Sequence, residues 1–247
     1  MTDQNQPAPP SAGTQTNQFG QQIGFPVPGW TARPRPPKTA IAGRFAGIEI
    51  LSEAHAADIH AANLLDTEGR NWTYLPYGPF STVEEYKAWM RQTCSGEDPL
   101  FHAVIDRATG KAVGVASYLR IDPANGVIEV GHINLSPLAQ RKPSSTEAMY
   151  LMMRRAFDEL GYRRYEWKCD ALNGPSRAAA LRLGFKYEGL FRQATIYRGR
   201  NRDTTWYAIT DKEWPGVKAA FETWLAPENF DANGQQKKKL SELMPKG

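Results

Sequence analysis

The stretch Gln140-Arg-Lys-Pro-Ser-Ser-Thr146 is the part of this chain best suited to hold an anion. A polar turn running into a helix N-terminus presents unpaired backbone N–H groups and the positive end of the helix dipole, a combination that suits a pyrophosphate. Arg141 and Lys142 add positive charge, and Ser144, Ser145 and Thr146 add hydroxyl donors. A plainer alternative has Ser145 or Thr146 simply capping the helix, with Glu147 favouring its dipole. Proton transfer has candidates in His132 and His102, whose ordinary titration lies near neutrality, although a satisfied half-buried structural histidine is the favoured reading of each. Arg192, Arg198, Arg200 and Arg202 cluster late in the chain. They could pair with a carboxylate on a ligand or form a solvated basic edge. Trp72, Tyr74, Tyr77 and Phe80 share one non-periodic loop that could cover a small ligand or pin itself to a core. The four histidines and two cysteines lack the spacing of a metal site, so no metal is expected.

The elements that must position these groups follow from periodicity. Gly47–Leu51 alternates as a half-buried strand, and Ser52 precedes an Ala-rich helix over about 53–64. Ser81 and Glu84 read as a capping box opening a helix to about Gln92. Strands are expected over Leu100–Asp106, Val113–Ile121 and Val127–Leu135, with a hairpin turn at Asn125-Gly126. These three form an antiparallel meander. The period then changes: a helix from about Thr146 to Leu160 buries Met149, Met152, Met153 and Ala156 on one face and stops at Gly161. A strand over Tyr165–Cys169, a short helix opening near Pro175, strand segments at 185–188, 194–198 and 204–209, and a terminal amphipathic helix over Trp214–Leu225 complete the order.

That order, with the residues filling it, resembles the GNAT superfamily of N-acetyltransferases, in the branch of the RimJ/RimL ribosomal-protein acetyltransferases. The matching text is Val130-Gly-His-Ile-Asn-Leu-Ser-Pro137, Gln140 to Thr146, Phe157-Asp-Glu-Leu-Gly161, Asn173-x-x-Ser176 and Leu183-Gly-Phe185. The resemblance implies an α/β (α+β) GNAT fold, a mixed and mostly antiparallel sheet flanked by helices and splayed at the acetyl-CoA site. It makes acetyl-CoA the co-substrate, held by Gln140, Arg141, Lys142, Ser144, Ser145, Thr146 and Asn173, with backbone groups of Ile133 to Leu135 meeting the thioester oxygen. Glu129 is then the first candidate for the base that frees the acceptor amine, and Ser176 the candidate acid for the departing thiolate. Trp72, Tyr74, Tyr77, His132 and Arg192 fall where the acceptor would bind. The chain departs from the family pattern in three places. Pro143 and Ser145 stand where small glycines are usual, Ala180 replaces a common acidic tyrosine, and Thr195 sits where the branch can carry a carboxylate.

Composition bounds the rest. Charge is 30 − 26 = +4, with a pI near 9.0, and the basic residues are spread along the chain, so nucleic acid is not expected as a partner. The first 40 residues hold eight of the 18 prolines and one acidic residue, which implies a disordered or extended Pro- and Gln-rich arm. Domain limits are expected at 1–40 (arm), 41–226 (acetyltransferase domain) and 227–247 (basic tail). No secretory or membrane segment and no disulfide framework is expected, so a cytoplasmic enzyme follows. Its reaction would be direct attack by a primary amine of a small molecule or amino acid in a ternary complex. The alternative acceptor is a peptide or protein N-terminus. A third reading is a non-catalytic acyl-CoA- or nucleic-acid-binding module. A homodimer is compatible with the resemblance.

Overall fold

The computed structural model describes residues 13–245, so the disorder expected at the start of the chain falls largely on residues outside the described ones. The chain divides at Ala32 into two units. In the first, β1 (Gln15–Thr16) and β2 (Gln22–Ile23) pair antiparallel. The Asn17 side-chain oxygen accepts from the N–H groups of Phe19 and Gln21 and fixes the turn between them.

The second unit begins at Arg33, earlier than the sequence suggested. Pro36 is buried, and the Arg33 N–H donates to the Pro123 carbonyl at 2.9 Å. The buried Arg155 guanidinium donates to the Thr39 and Ala40 carbonyls. This fastens the chain leading into β3 (Ile41–Ala42) and β4 (Ala46–Ile50). After a single 3₁₀ turn come α1 (Ala56–Asn63) and α2 (Val83–Thr93). The capping box of α2 is Thr82 with Glu85, one residue later than Ser81 with Glu84. The Ser81 N–H instead donates to the same Glu85 carboxylate, because a glutamate at the third helical position reaches back to both.

The meander forms as expected, as β5 (Leu100–Asp106), β6 (Lys111–Asp122) and β7 (Val127–Leu135). Alternation along β5 sends Phe101, Ala103 and Ile105 to a cluster with Trp72, Tyr86 and Trp89, while Leu100 and Val104 join the larger core on the other face. Next is α3 (Pro143–Arg154), continued by one wide helical turn over Arg155–Glu159. It starts three residues before the expected Thr146, because the fixed φ of Pro143 suits the first helical position, where its missing N–H costs nothing. Then follow β8 (Arg164–Asp170), α4 (Gly174–Arg182), β9 (Lys186–Tyr197), β10 (Arg200–Thr210), α5 (Trp214–Leu225) and α6 (Leu240–Leu243). The two short segments expected at 185–188 and 194–198 are one long strand, bent at Gln193. The described residues after α5 do not run free. Leu240 is buried against the core, and the Asn229 side chain donates to the Trp224 and Lys238 carbonyls. Among the described residues no helix is long and apolar enough to cross a membrane.

The sheet order is β3-β4-β5-β6-β7-β8-β10-β9, antiparallel throughout except at the β7–β8 pair, which is parallel. One long-range anchor holds the first strands to α3. The buried Glu147 carboxylate accepts from the N–H groups of Arg44 at 2.9 Å, Phe45, and Ala46 at 2.7 Å. A side chain at Gly43 would meet that carboxylate at 2.6 Å, so only glycine fits there. Glu147 is therefore a backbone clamp and not a dipole partner. Glu147→Ala orphans these N–H groups and is expected to cost about 3 kcal/mol. Urea unfolding should show a lowered midpoint with an unchanged slope.

Candidate active site

β7 and β8 are hydrogen-bonded partners only from Val127/Arg164 to Val130/Trp167. Beyond that point β7 carries an extra residue against β6. Ser117 faces Gly131 and Val115 faces Asn134, a bulge centred on His132, whose φ is +50°. A bulge bends its strand, and β7 turns away from β8. The wedge between them is a cleft of about 280 Å³ lined by residues of both strands, of α4 and of the aromatic loop.

Its charged floor is built from alternate positions on paired strands. Glu129 lies opposite Glu166, with Lys168 two residues further along the same face. Arg120 Nη1 donates to both Glu129 oxygens at 2.7 Å, and Lys168 Nζ lies 2.9 Å from Glu129 Oε2. Lys168 also reaches Glu166 at 2.7 Å, and Arg164 joins Glu166 to Glu188. The result is a row of alternating charges from Arg120 to Glu188. Burial alone would raise the Glu166 carboxyl, but hydrogen bonds from Lys168 and Arg164 hold it below the usual carboxylate range. Lys168 further sits 3.6 Å from the Trp206 ring centroid. Arg120 is aimed by a second bulge. Its φ is +46°, and the Asp98 carboxylate accepts from the N–H groups of Arg120 and Ile121.

Above the floor stand His132 and Ser176. Tyr77 Oη lies 3.2 Å from His132 Nδ1, and the two rings stack. Burial, with a smaller contribution from the Arg120 charge, lowers the His132 pKa to about 4, so the ring is neutral at pH 7. Burial pushes the Tyr77 hydroxyl far above its ordinary range. The Trp167 indole donates to Ser176 Oγ at 3.0 Å, leaving the hydroxyl proton to point elsewhere. Asn173 lines the cleft and also caps α4, its oxygen accepting from the Ser176 N–H. Ile133 lines the wedge, while the Leu135 carbonyl accepts from Gln140 Nε2 at 2.8 Å and from Asn71.

The roof is the aromatic loop, whose Tyr74, Leu75 and Pro76 line the cleft and which is fastened at two points. Tyr74 Oη donates to the Leu172 carbonyl, and Arg198, at the tip of the β9–β10 hairpin, donates to the carbonyls of Tyr77, at 2.8 Å, and Gly78. Three expected acceptor residues do not line the cleft: Trp72, Arg192 and Tyr77, the last packed between Trp89 and His132. Trp72 is buried under Gly78 and Phe80 as core, since a Cβ at Gly78 would strike its ring. Arg192 lies with Gln193, Asn201 and Asp203 at a separate surface recess. Arg202, on the neighbouring strand, reaches the cleft instead. Sequence reasoning missed Arg120, Lys168 and Asp170 as cleft residues. The Glu166-x-Lys168 alternation signalled the second once β8 was known to pair with β7.

The Gln140–Thr146 loop fits a pyrophosphate. Arg141 turns the chain with φ +59°, Lys142 is the N-cap, and the first N–H groups of α3 have no partner within the helix. The hydroxyls are less available than expected. Ser145 donates to the Lys142 carbonyl, Thr146 accepts from Arg182, and Ser144 is buried with its oxygen unpartnered.

Comparison with known proteins agrees with this geometry. The family model described as acetyltransferase (GNAT) domain matches residues 48–186. A GCN5-related N-acetyltransferase from Brucella melitensis has 48% sequence identity and a TM-score of 0.86, over 88% of this chain and 99% of that one. The N-acetyltransferase p20 of Bacillus licheniformis is 26% identical over 58% of this chain and 82% of its own length. The ribosomal-protein-serine acetyltransferase of Escherichia coli is 31% identical over 39% of this chain and 53% of its own length.

The histidines set a pH limit. His132 and the fully buried His102 both have native pKa values lowered to about 4 from an ordinary 6.5. For His102, burial and then the Arg155 charge are the causes. The unfolded chain therefore binds more protons between these values, and stability falls as pH drops from 6.5 to 4. Urea midpoints should decline across that window, and the His132 ring resonances should stay flat from pH 8 to about 5.5.

Proposed function

This chain belongs to the GNAT acetyltransferases, and from that premise we propose that it carries acetyl from acetyl-CoA to the primary amine of a small molecule or amino acid, by direct attack with both substrates bound. The observation that carries this acceptor class is the roof. Tyr74, Leu75 and Pro76 of the aromatic loop line one side of a cleft of about 280 Å³, and that loop is fastened by Tyr74 to the Leu172 carbonyl and by Arg198 through the Tyr77 and Gly78 carbonyls. A cleft of that size, flanked by a fastened loop, favours a compact amine over a folded protein surface. The α-amino end of a flexible peptide is the second reading, favoured by the E. coli relative named for a ribosomal protein.

When bound, acetyl-CoA supplies the activated acetyl thioester. The chain's own groups do the rest. Arg120 and Lys168 beside the cleft disfavour a protonated amine and so help free its lone pair. Glu129 has about four lone-pair sites, three of which face Arg120 and Lys168. The remaining one takes the amine proton, directly or through water. Backbone N–H groups of β7 beyond the bulge, near Ile133, stabilise the oxygen that gains negative charge. Ser176, its oxygen held by the Trp167 indole, gives its hydroxyl hydrogen bond to the departing thiolate and regains its proton from solvent water when the thiol forms.

Glu129→Gln tests the base. An amine screen with acetyl-CoA should show kcat/KM lowered about 100-fold at pH 7. The deficit should shrink as pH rises and the acceptor loses its own proton. A loss constant across pH would reassign Glu129 to a purely structural role.

A further inference from the structure

Three cations and two carboxylates line the acetyl-transfer cleft. Arg120 and Lys168 are both paired with Glu129. Asp170 gives one oxygen to the Leu172 N–H at 2.8 Å and the other to the Tyr197 hydroxyl at 3.0 Å. Arg202 is the remaining charge. It is half-buried, and among the described residues it forms no ion pair. Its Nε donates to Thr204 Oγ1 at 3.2 Å, and its guanidinium carbon lies 6.0 Å from the Tyr197 ring centroid. A partly desolvated cation without a counter-ion favours an anionic ligand. With Nε committed to Thr204, the two terminal nitrogens keep the planar fork that matches a carboxylate.

The backbone sets where this fork stands. Thr204 lies opposite Asp170 and Trp206 opposite Lys168, so Arg202, Thr204 and Trp206 share the face that carries the charge row. The bond to Thr204 holds the guanidinium at the level of Asp170, two residues or about 7 Å beyond Lys168. The hairpin that carries it is bent at Gln193 and tied at its tip, through Arg198, to the aromatic loop. The other arginines of this late cluster are placed differently. Arg198 holds the loop, Arg192 lies at a separate recess, and Arg200 is exposed.

The cleft therefore offers two recognition points of opposite sign, Glu129 at the floor and Arg202 at the β10 side. We propose that the acceptor is a small amine that also carries a carboxylate, as an amino acid does, and that Arg202 binds this carboxylate and so sets specificity. The inference rests on the small-molecule reading given above and narrows it. The α-amino end of a peptide is followed by an uncharged amide and lacks the matching group.

Steady-state acetylation by the full chain with acetyl-CoA tests it. The acceptors are the common α-amino acids, their α-amides, the decarboxylated amines and short peptides, with kcat/KM referred to the unprotonated amine. The best amino acid should exceed its uncharged counterpart about 30-fold, with almost all of the difference in KM. Aspartate against asparagine, and glutamate against glutamine, show whether an α- or a side-chain carboxylate is read. Arg202→Gln should bring the acid-to-uncharged ratio close to one. Arg202→Lys should restore part of it, since lysine keeps the charge and lacks the fork. A purely structural role for Arg202 would lower both members of each pair equally. Thermal melts of the two variants verify folding. Equal rates for amino acids and their uncharged counterparts would overturn the proposal and leave the small-molecule reading in place. A preference that survives Arg202→Gln would overturn the role of Arg202. Acetylation of peptides alone would overturn both the proposal and the reading beneath it.

Discussion

Two parallel strands remain hydrogen-bonded only while their backbones advance in step, and the extra residue at His132 ends that condition for β7 and β8. The cleft, its floor and its roof all follow from where this happens. Up to Val130 and Trp167 the strands are paired closely enough for Glu129, Glu166 and Lys168 to share one face and neutralise each other. Past that point the same strands present unpaired edges to a wedge wide enough for a ligand. A buried charge row next to an open cleft would be unstable without good pairing, and the register on the paired side supplies it.

Strain collects at the same place. Among the described residues five non-glycine positions have positive φ: Arg120, His132, Arg141, Gln193 and Arg198. The first two border the cleft, Arg141 turns the anion loop, Arg198 holds the roof, and Gln193 bends the strand that carries the hairpin. Each such conformation costs of order 1–3 kcal/mol. The surroundings compensate through specific bonds, such as the Asp98 carboxylate on the Arg120 bulge. Opposing this strain are features remote from the chemistry, chief among them the Glu147 clamp and the two apolar layers on either face of the sheet.

Much of this was legible in the sequence, and what was not has a common cause. The meander from Leu100 to Leu135 and the terminal helix over Trp214–Leu225 are dictated by local alternation and period, and they form within a few residues of expectation. Glu129, Ser176, Asn173 and His132 were readable from a family pattern, and the fold brings them to one cleft. Arg120, Lys168 and Asp170 were not, because what makes them cleft residues is cross-strand register and a bulge, neither of which leaves a local signature. Trp72 and Arg192 failed for the opposite reason. Position in a loop or near a hairpin tip suggested exposure to ligand, whereas burial under Gly78 and the alternation of β9 sent them elsewhere. Residues 227–247 looked like a basic tail because anchors such as Asn229 and Leu240 stand in an otherwise polar run.

The short pairing of β7 with β8 carries a mechanical consequence. Eight strands are joined in the middle by a seam of four residue pairs, while the neighbouring β6–β7 and β8–β10 joints are six and seven pairs long. The sheet is therefore two leaves bound along a short spine. Bending is softest at the spine, and the spine ends where the reacting groups stand. Small rocking of one leaf against the other would widen or narrow the wedge without disturbing either core, so access to the cleft can vary while the packing that stabilises the protein stays intact.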